Sequence, residues 1–551
     1  MKVAITGIGI ISALGVGAEQ NRENLLAGKS RVAPAQILPT GHKEWPVGEV
    51  GLSNAQLARL AGQDENALIS RNALLGMIAL KEAIADSRLS KDMLSRMQLL
   101  NGTTVGGMDL TEQYYKEWKQ GDYTHLDTIL QHEAGMTATM LQQCFGLADS
   151  TTISTACSSA MNAIVTGVML IRAGIAKRVI AGGTEALTRF HLNGFGALGI
   201  LSKSICKPFD AERDGINLGE GAAYVVLEDA EDAKKRGAKI YAYVAGYGNR
   251  CDAYHATASS PEGDGAYEAM AQAVRMSGLD YSRIKYLNAH GTATPNNDAS
   301  EMRAIERLYG ENMPLTESTK PLTGHTTSAS GSIELCFTVW RMSANGYRYA
   351  MSNAFGFGGN DTSIILSADE HDLPPLDKMQ KIVMTESVAA EEQDDYKTYI
   401  PAMQARRMTP MLRQLVVAAK KALQKAGIEM PDAIVVGTEW GGMIPTIELL
   451  KQLTDAGEEG LSPMQFMSST HNNAAGTLAR LLSCKGYNTT FSHGKGSMAE
   501  AEAHAALLLM SGEAKSVLVC GFDEVAEGWQ EYLERAGMAA ENIAIAKVMA
   551  C

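Results

Sequence analysis

Thr151-Thr152-Ile153-Ser154-Thr155-Ala156-Cys157-Ser158-Ser159-Ala160 is the stretch around which the rest of the chain is organised. Its β-branched run reads as a buried strand that stops at Cys157. From Ser159 to Ile171 the residues are small, apolar and almost uncharged, which predicts a helix buried on all sides. A cysteine at such a strand-to-helix turn has the next helix's N–H groups aimed at its sulfur. That arrangement favours thiolate over thiol and predicts a nucleophile at neutral pH. A lone cysteine is more often an inert core residue, so the reading depends on what else the chain brings.

Two further stretches bring histidines. They are Asn288-Ala289-His290-Gly291-Thr292-Ala293-Thr294-Pro295 and Lys320-Pro321-Leu322-Thr323-Gly324-His325. Each sets an imidazole beside a glycine, where backbone and ring can approach a ligand closely. One thiol with two imidazoles suits carbon–carbon bond formation through an acyl-thioester: the thiolate takes the acyl group, and the imidazoles hydrogen-bond a developing enolate. On these residues, residues 1–368 resemble the β-ketoacyl-[acyl carrier protein] synthases of the Cys-His-His type.

The 551 residues are enough for three or four compact units. A net charge of −13 argues against general nucleic-acid binding. Eight cysteines without a CxxC pair predict a reduced, cytoplasmic protein with no metal site and no disulfides. The run Val3–Ile11, broken by Gly7 and Gly9, reads as a buried strand rather than a signal peptide, and no segment is long and apolar enough to span a bilayer.

Alternating strands and helices run to about Ile240. Arg213-Asp214-Gly215-Ile216-Asn217-Leu218-Gly219-Glu220-Gly221 places two acids beside glycines. Asp214 and Glu220 are read as braces under the site rather than as bases. Asp298-Ala299-Ser300-Glu301 reads as a capping box opening a helix. Lys320 and Glu334 read as a buried pair, and Phe355-Gly356-Phe357-Gly358-Gly359-Asn360 as a glycine run whose N–H groups line a pocket.

The resemblance implies a thiolase-like, five-layered αβαβα condensing-enzyme fold, with a nucleophile-bearing half (1–240) and a half carrying both histidines (241–368). It implies Cys157 as nucleophile and His290 and His325 as the decarboxylation and condensation pair, supported by Lys320 and Glu334. Thr292 and Thr294 correspond to threonines that hold a phosphopantetheine arm. Phe357 corresponds to the gating phenylalanine, whose N–H joins that of Cys157 around the thioester oxygen. The partner implied is an acyl carrier protein, and no cofactor is bound. The connection from Val339 to Arg348 is shorter than the family's usual excursion there.

Residues 369–380 read as a polar linker. Residues 381–551 then repeat the first half: Thr489–Ser497 lies over Thr151–Ser159, Gly437–Met443 over Gly102–Met108, and Leu412–Gln424 over Ala73–Ala85. On this alignment Lys495 stands in the place of Cys157, and no counterpart of either histidine follows. The segment resembles half-length, non-catalytic ketosynthase-like domains and chain-length factors. Its helix carries Glu500, Glu502 and His504, which fit a helix covered on one side only.

The function implied is decarboxylative Claisen condensation of an acyl-thioester with malonyl-carrier, in fatty-acid or polyketide/polyene-type synthesis. The alternatives are a thiolase-like acyl-CoA enzyme or a non-catalytic scaffold. A thiolase would place a second cysteine in the glycine run, where this chain has Phe357-Gly358. Charge near the pocket mouth is expected from Arg71, Lys116, Lys119 and Lys207. The edge of strand Thr151–Thr155 needs a partner, either a second copy of the chain (a homodimer) or strand Asn488–Ser492 in a pseudo-dimer. In the second case residues near Phe491 would border the acyl pocket.

Overall fold

The computed structural model describes residues 1–376, 382–391 and 393–551. The first strand, β1 (Val3–Ser12), is buried along its whole length, and α1 (Arg71–Ser87) packs on it. Contact is close because Gly7 and Gly9 have no side chain. A Cβ on Gly9 would lie 2.0 Å from the Ala79 carbonyl oxygen of α1. The glycines that break the apolar run therefore serve helix packing, which a cleavable leader would not require.

β2 (Gln98–Gly102), α2 (Met108–Lys119), β3 (Asp149–Ile153), α3 (Ser159–Arg172), β4 (Arg178–Glu185), α4 (Arg189–Ala197) and β5 (Gly221–Asp229) follow. They form a sheet ordered β3-β2-β4-β5-β1, parallel through its first three strands and antiparallel at the last two pairings. The second half repeats the arrangement with β6 (Ala242–Cys251), β7 (Tyr286–Asn288), α5 (Pro295–Tyr309), α6 (Ser330–Asn345), β8 (Tyr349–Gly356) and β9 (Asn360–Ser367). Here the order is Leu315–Glu317, then β7, β8, β9 and β6.

Helices α3 and α6 lie between the two sheets, which explains why α3 is buried on nearly every side. They meet at Gly331, where an added Cβ would come within 2.7 Å of Met161. With outer helices on each sheet, this is the αβαβα sandwich that the sequence predicts.

Residues 369–376 do not run free. Leu373 is buried and donates its N–H to the Met1 carbonyl, and Arg172 holds the Pro374 carbonyl. The predicted linker is thus pinned over this part. Its remainder, 377–380, and residue 381, the expected start of the second copy, lie outside the described residues.

The second copy contains α7 (Pro410–Ala426), β10 (Ala433–Gly442), α8 (Met443–Asp455), β11 (Tyr487–Phe491), α9 (Ser497–Met510), β12 (Ser516–Glu524) and β13 (Ile543–Ala550). Its sheet order, β11-β10-β12-β13, reproduces that of the first half, with two short strands at Val383–Met384 and Val388–Ala389 in the place of β1. β11 lies antiparallel against β3. Phe491 faces Ile153, and the N–H groups of Ser154 and Ser492 donate across the junction to Thr490 and Thr152 at 2.9 Å. One sheet therefore runs through both copies.

Polar side chains seal the seam. Asn249 Nδ2 and Asn360 Nδ2 donate to the Asn488 carbonyl, and Tyr247 donates to Glu513 at 2.6 Å, with Arg172 alongside. On α9 the outer stripe is Ala499, Glu502, Ala503 and Ala506, all exposed or half-buried. Small and charged residues there let a half-sandwich face water. His504 does not belong to that stripe. It is buried 3.1 Å from the Tyr487 hydroxyl, which corrects its expected place on an uncovered face.

Candidate active site

Cys157 sits in a single 3-10 turn, Ala156–Ser158, between β3 and α3. The turn is tight enough to hold Ala156 at φ 54°, a left-handed conformation that a side chain normally avoids. Serines pay for it: Ser159 Oγ bonds the Ala156 carbonyl at 2.6 Å, and Ser158 Oγ bonds Asn360 Oδ1 at 2.6 Å. Asn162 reaches the same oxygen at 2.7 Å. The sulfur accepts the backbone N–H of Phe357.

His290 follows β7. Its N–H and that of Gly291 donate to the two oxygens of Glu301 at 2.8 Å each, while Lys320 Nζ reaches its carbonyl at 2.5 Å. Lys320 is fully buried and pairs with Glu334 at 2.6 Å, as the sequence predicts. His325 is fixed through its backbone, which exchanges bonds with Asn217 and Gly219 at 2.7 and 2.8 Å. One ring nitrogen from each histidine and the Cys157 sulfur lie within 4.8 Å of one another, and the ring centroids are 5.2 Å apart.

Among the described residues, neither ring nitrogen of His325 has a hydrogen-bond partner, nor does Nδ1 of His290. Burial and the Lys320 charge push both histidines well below their ordinary range, so both are neutral at pH 7. Burial pushes the Cys157 thiol up to about 12, against the opposing pull of Lys320 and the Phe357 N–H. This corrects the expected resting thiolate. The helix N-terminus is present, but desolvation outweighs it.

Two cavities meet at the thiol. A channel of about 300 Å³ runs past Thr292, Thr294, His255 and Thr257 to Cys157, His290 and His325. A second cavity also borders Cys157 and is lined by Phe190, Phe195, His132 and His191 together with Trp440, Met443, Phe466 and His471 of the second copy. Phe357 borders both cavities, its ring stacked on Phe195 with centroids 5.5 Å apart. Asn472 of the second copy donates to the Phe357 carbonyl at 2.8 Å.

Several expectations need revision. Phe491 lines neither cavity and packs on His504, so the second copy reaches the pocket through β10, α8 and the 466–471 segment instead. Arg71 is not a surface charge: it is buried in a bidentate pair with Glu220 at 2.6 and 2.8 Å. Glu220 also accepts from Val50 and Leu187, and Asp214 from Ser202, so both acids brace loops. Lys119 pairs with Asp455 across the seam, Lys207 pairs with Glu212, and Lys116 stays exposed.

Asp298 and Glu301 do not form a capping box. Helix α5 begins at Pro295 without a side-chain cap, and the two acids turn inward, Asp298 to the N–H groups of Phe209 and Ala293. Their signal in the sequence was position: both lie within the first two turns after the His290 loop. Lys495 is exposed on its turn rather than desolvated in a pocket, as an activated lysine would be. Asn472, Trp440, Phe466 and His471 were missed, because nothing local marks a residue that acts across a domain seam.

Known proteins resemble this chain. Residues 1–233 match the family model for the β-ketoacyl synthase N-terminal domain, and residues 241–347 the one for its C-terminal domain. Residues 381–551 match a second N-terminal-domain model. The 3-oxoacyl-[acyl-carrier-protein] synthase 2 of Staphylococcus aureus is 30% identical, over 67% of this chain and 99% of that protein. That of Vibrio cholerae is 32% identical, over 66% and 98%. Among solved structures, the ishigamide ketosynthase/chain length factor matches with a TM-score of 0.63 at 28% identity, over 67% of this chain and 99% of that one. The PfaC keto synthase-chain length factor covers 100% of this chain and 78% of its own, with a TM-score of 0.77; at 17% identity it speaks for the fold alone. Two successive domain matches and a buried Cys-His-His cluster at the meeting point of two cavities place the chain in one group: it belongs to the β-ketoacyl synthase family of condensing enzymes.

Proposed function

We propose that Cys157 accepts an acyl group from a thioester and that the acyl-enzyme condenses with a malonyl-thioester on an acyl carrier protein, with loss of CO₂. The observation that carries the reading is the cluster of Cys157, His290 and His325 within 4.8 Å at the end of a channel. In the loading step the protonated thiol gives its proton to a neighbouring imidazole as sulfur attacks the carbonyl. The departing pantetheine thiol then takes that proton. The N–H groups of Cys157 and Phe357 stabilise the tetrahedral oxyanion.

Malonyl decarboxylation next leaves an enolate, which the N–H groups of the two neutral imidazoles stabilise. Keeping them neutral is what burial and Lys320 contribute, because a protonated imidazole would hand its proton to the enolate carbon and waste the nucleophile. The enolate carbon attacks the acyl carbonyl, the C–S bond breaks with the electron pair leaving on sulfur, and the Cys157 thiolate takes one proton from solvent to restore the thiol. Thr292 and Thr294 hold the phosphopantetheine arm in the channel, and Phe357 gates the passage beyond it. No bound cofactor is required.

Residues 381–551 take no chemical step in this reading. They serve as a tethered, non-catalytic partner whose Trp440, Met443, Phe466 and His471 end the acyl pocket, in the manner of a chain-length factor. Solvent exposure of Lys495 supports that assignment. The reading implies work in the cytoplasm, in fatty-acid or polyketide-type synthesis.

The test separates loading from condensation. Cys157→Ala should abolish acyl-enzyme on intact-protein mass spectrometry. His325→Ala should retain loading while condensation falls by roughly 10²–10⁴-fold, the usual size of a proton-transfer or oxyanion contribution. Equal loss of both steps in His325→Ala would refute the division of roles.

A further inference from the structure

The chain has no CxxC pair, so spacing alone predicts no metal site. Folding nevertheless assembles one set of metal-binding side chains from three distant stretches. The Cys157 sulfur and one ring nitrogen from each of His290 and His325 lie within 4.8 Å of one another. Among the described residues no other trio of His, Cys, Asp or Glu brings its ligand atoms so close.

One thiolate with two imidazoles is a donor set suited to zinc with its fourth position open. A tetrahedral Zn²⁺ holds sulfur at about 2.3 Å and nitrogen at about 2.0 Å, which sets its donors about 3.3–3.6 Å apart. The rings can turn to close the difference. Both nitrogens of His325 and Nδ1 of His290 are buried without a hydrogen-bond partner among the described residues. For His325, which has no partner on either side of the ring, an ion supplies one. Both rings are neutral, the form that coordinates a metal. The channel of about 300 Å³ reaches all three side chains and gives an ion its way in.

The charges around the sulfur also suit a cation. Lys320, Glu185 and Glu334 are the charged groups that act on it. Lys320 and Glu334 form an ion pair at 2.6 Å. That leaves the buried Glu185 carboxylate, which accepts from the Thr103 and Thr327 hydroxyls at 2.9 Å each. A Zn²⁺ bound to one thiolate carries a single positive charge, and this carboxylate balances it, so the ion is not buried with an unpaired charge.

We infer that Cys157, His290 and His325 bind one Zn²⁺ reversibly, with the fourth position open to the channel, and that the ion inhibits the enzyme by occupying the thiol and both imidazoles at once. The thiol proton passes to solvent as the S–Zn bond forms, with no change of oxidation state. The site itself stands on the geometry, and its inhibitory effect rests on the acyl-transfer reading.

The test uses the full chain, stripped of metal with EDTA, and Co²⁺ as a spectroscopic stand-in for Zn²⁺. One equivalent of Co²⁺ should give a sulfur-to-cobalt charge-transfer band and tetrahedral visible bands, erased by Zn²⁺ and untouched by Mg²⁺, which prefers oxygen ligands. Cys157→Ala should lose the charge-transfer band. The milder His325→Asn should weaken cobalt binding by at least the roughly 10–100-fold that even an outer partner's loss costs. Cys144→Ser and Cys551→Ser, at the exposed thiols, should leave the spectrum unchanged. Acyl loading of Cys157 should fall about tenfold at free zinc ten times its dissociation constant and return with EDTA. The inference is overturned by absence of the band, by a band that survives Cys157→Ala or is lost with either surface cysteine, or by loading undiminished in saturating zinc. In each of those cases acyl-Cys157 formed without metal leaves the acyl-transfer reading intact. The expected band on a chain that is folded by circular dichroism yet never loads an acyl group when metal-free would keep the site and overturn the acyl-transfer reading instead.

Discussion

At Cys157 burial holds the proton on sulfur, while Lys320, the Phe357 N–H and the start of α3 pull it away. Burial prevails, and the thiol is pushed up to about 12. At pH 7 iodoacetamide should therefore label the exposed Cys144 and Cys551 ahead of Cys157, and labelling of Cys157 should keep rising beyond pH 9. Peptide mapping over a pH series checks this; a Cys157 rate already flat at pH 8 would show a resting thiolate. The Phe357 peptide is gripped at both ends, its N–H by Cys157 and its carbonyl by Asn472. Gly358 and Gly359, at φ 87° and 85°, follow as a pair that few other residues could replace. Removing the Asn472 bond with Asn472→Ala should free the Phe357 peptide, speed alkylation of Cys157 severalfold, and raise hydrogen exchange across residues 355–361 with little change in melting temperature.

Helices α3 and α6 set the spacing between the sheets, and the Cys157 turn leads directly into α3. Gly331 permits their approach, since a Cβ there would press on Met161 at 2.7 Å. Gly331→Ala should cost about 1–3 kcal/mol of stability, the range for overpacking a filled core. Urea denaturation measures it, and loading should fall as well because the Cys157 turn moves with the start of α3. The matching helix of the second copy, α9, has no sheet on its outer side. Ala499, Ala503 and Glu502, the last paired to Lys547 at 2.5 Å, make that side compatible with water.

In the whole molecule β11 occupies the edge of β3, the edge through which a second copy of the chain would otherwise pair. Light scattering on the full chain should accordingly report a monomer, and a truncation ending at Ser367 should dimerise or aggregate. A dimer in both would refute the tethered-partner arrangement. The seam also carries buried carboxylates. Burial pushes Glu500, facing Thr151 and Asp149, up to about 8, and Glu133, which holds the Gly494 N–H at 3.0 Å, up to about 7. Both folded values lie above the ordinary carboxylate value of 4.5, so the folded chain binds more protons than the unfolded chain between those limits. The stability these groups contribute is complete below about pH 4.5 and is lost as pH rises through about 7 to 8. Thermal melts from pH 5.5 to 8.5 should fall, and Glu500→Gln should flatten the slope.

The amino-acid sequence by itself determined the repeat and the places of the Cys157 turn and the two histidine loops, and by resemblance the sandwich; it left open whether the Thr151–Thr155 edge pairs with a second copy of the chain or with Asn488–Ser492. What it determined is written locally, in β-branched runs, glycines at turns and an uncharged helix, or by likeness between one half of the chain and another. Tertiary structure alone decided the protonation of Cys157, because desolvation depends on what surrounds the sulfur. It alone turned Arg71 inward onto Glu220 and aimed Glu301 at the His290 loop. It also chose Trp440, Phe466 and His471, rather than Phe491, to line the cavity beside Cys157. These residues are separated from Cys157 by hundreds of positions, and only the docking of two sheets edge to edge brings them to the same cavity.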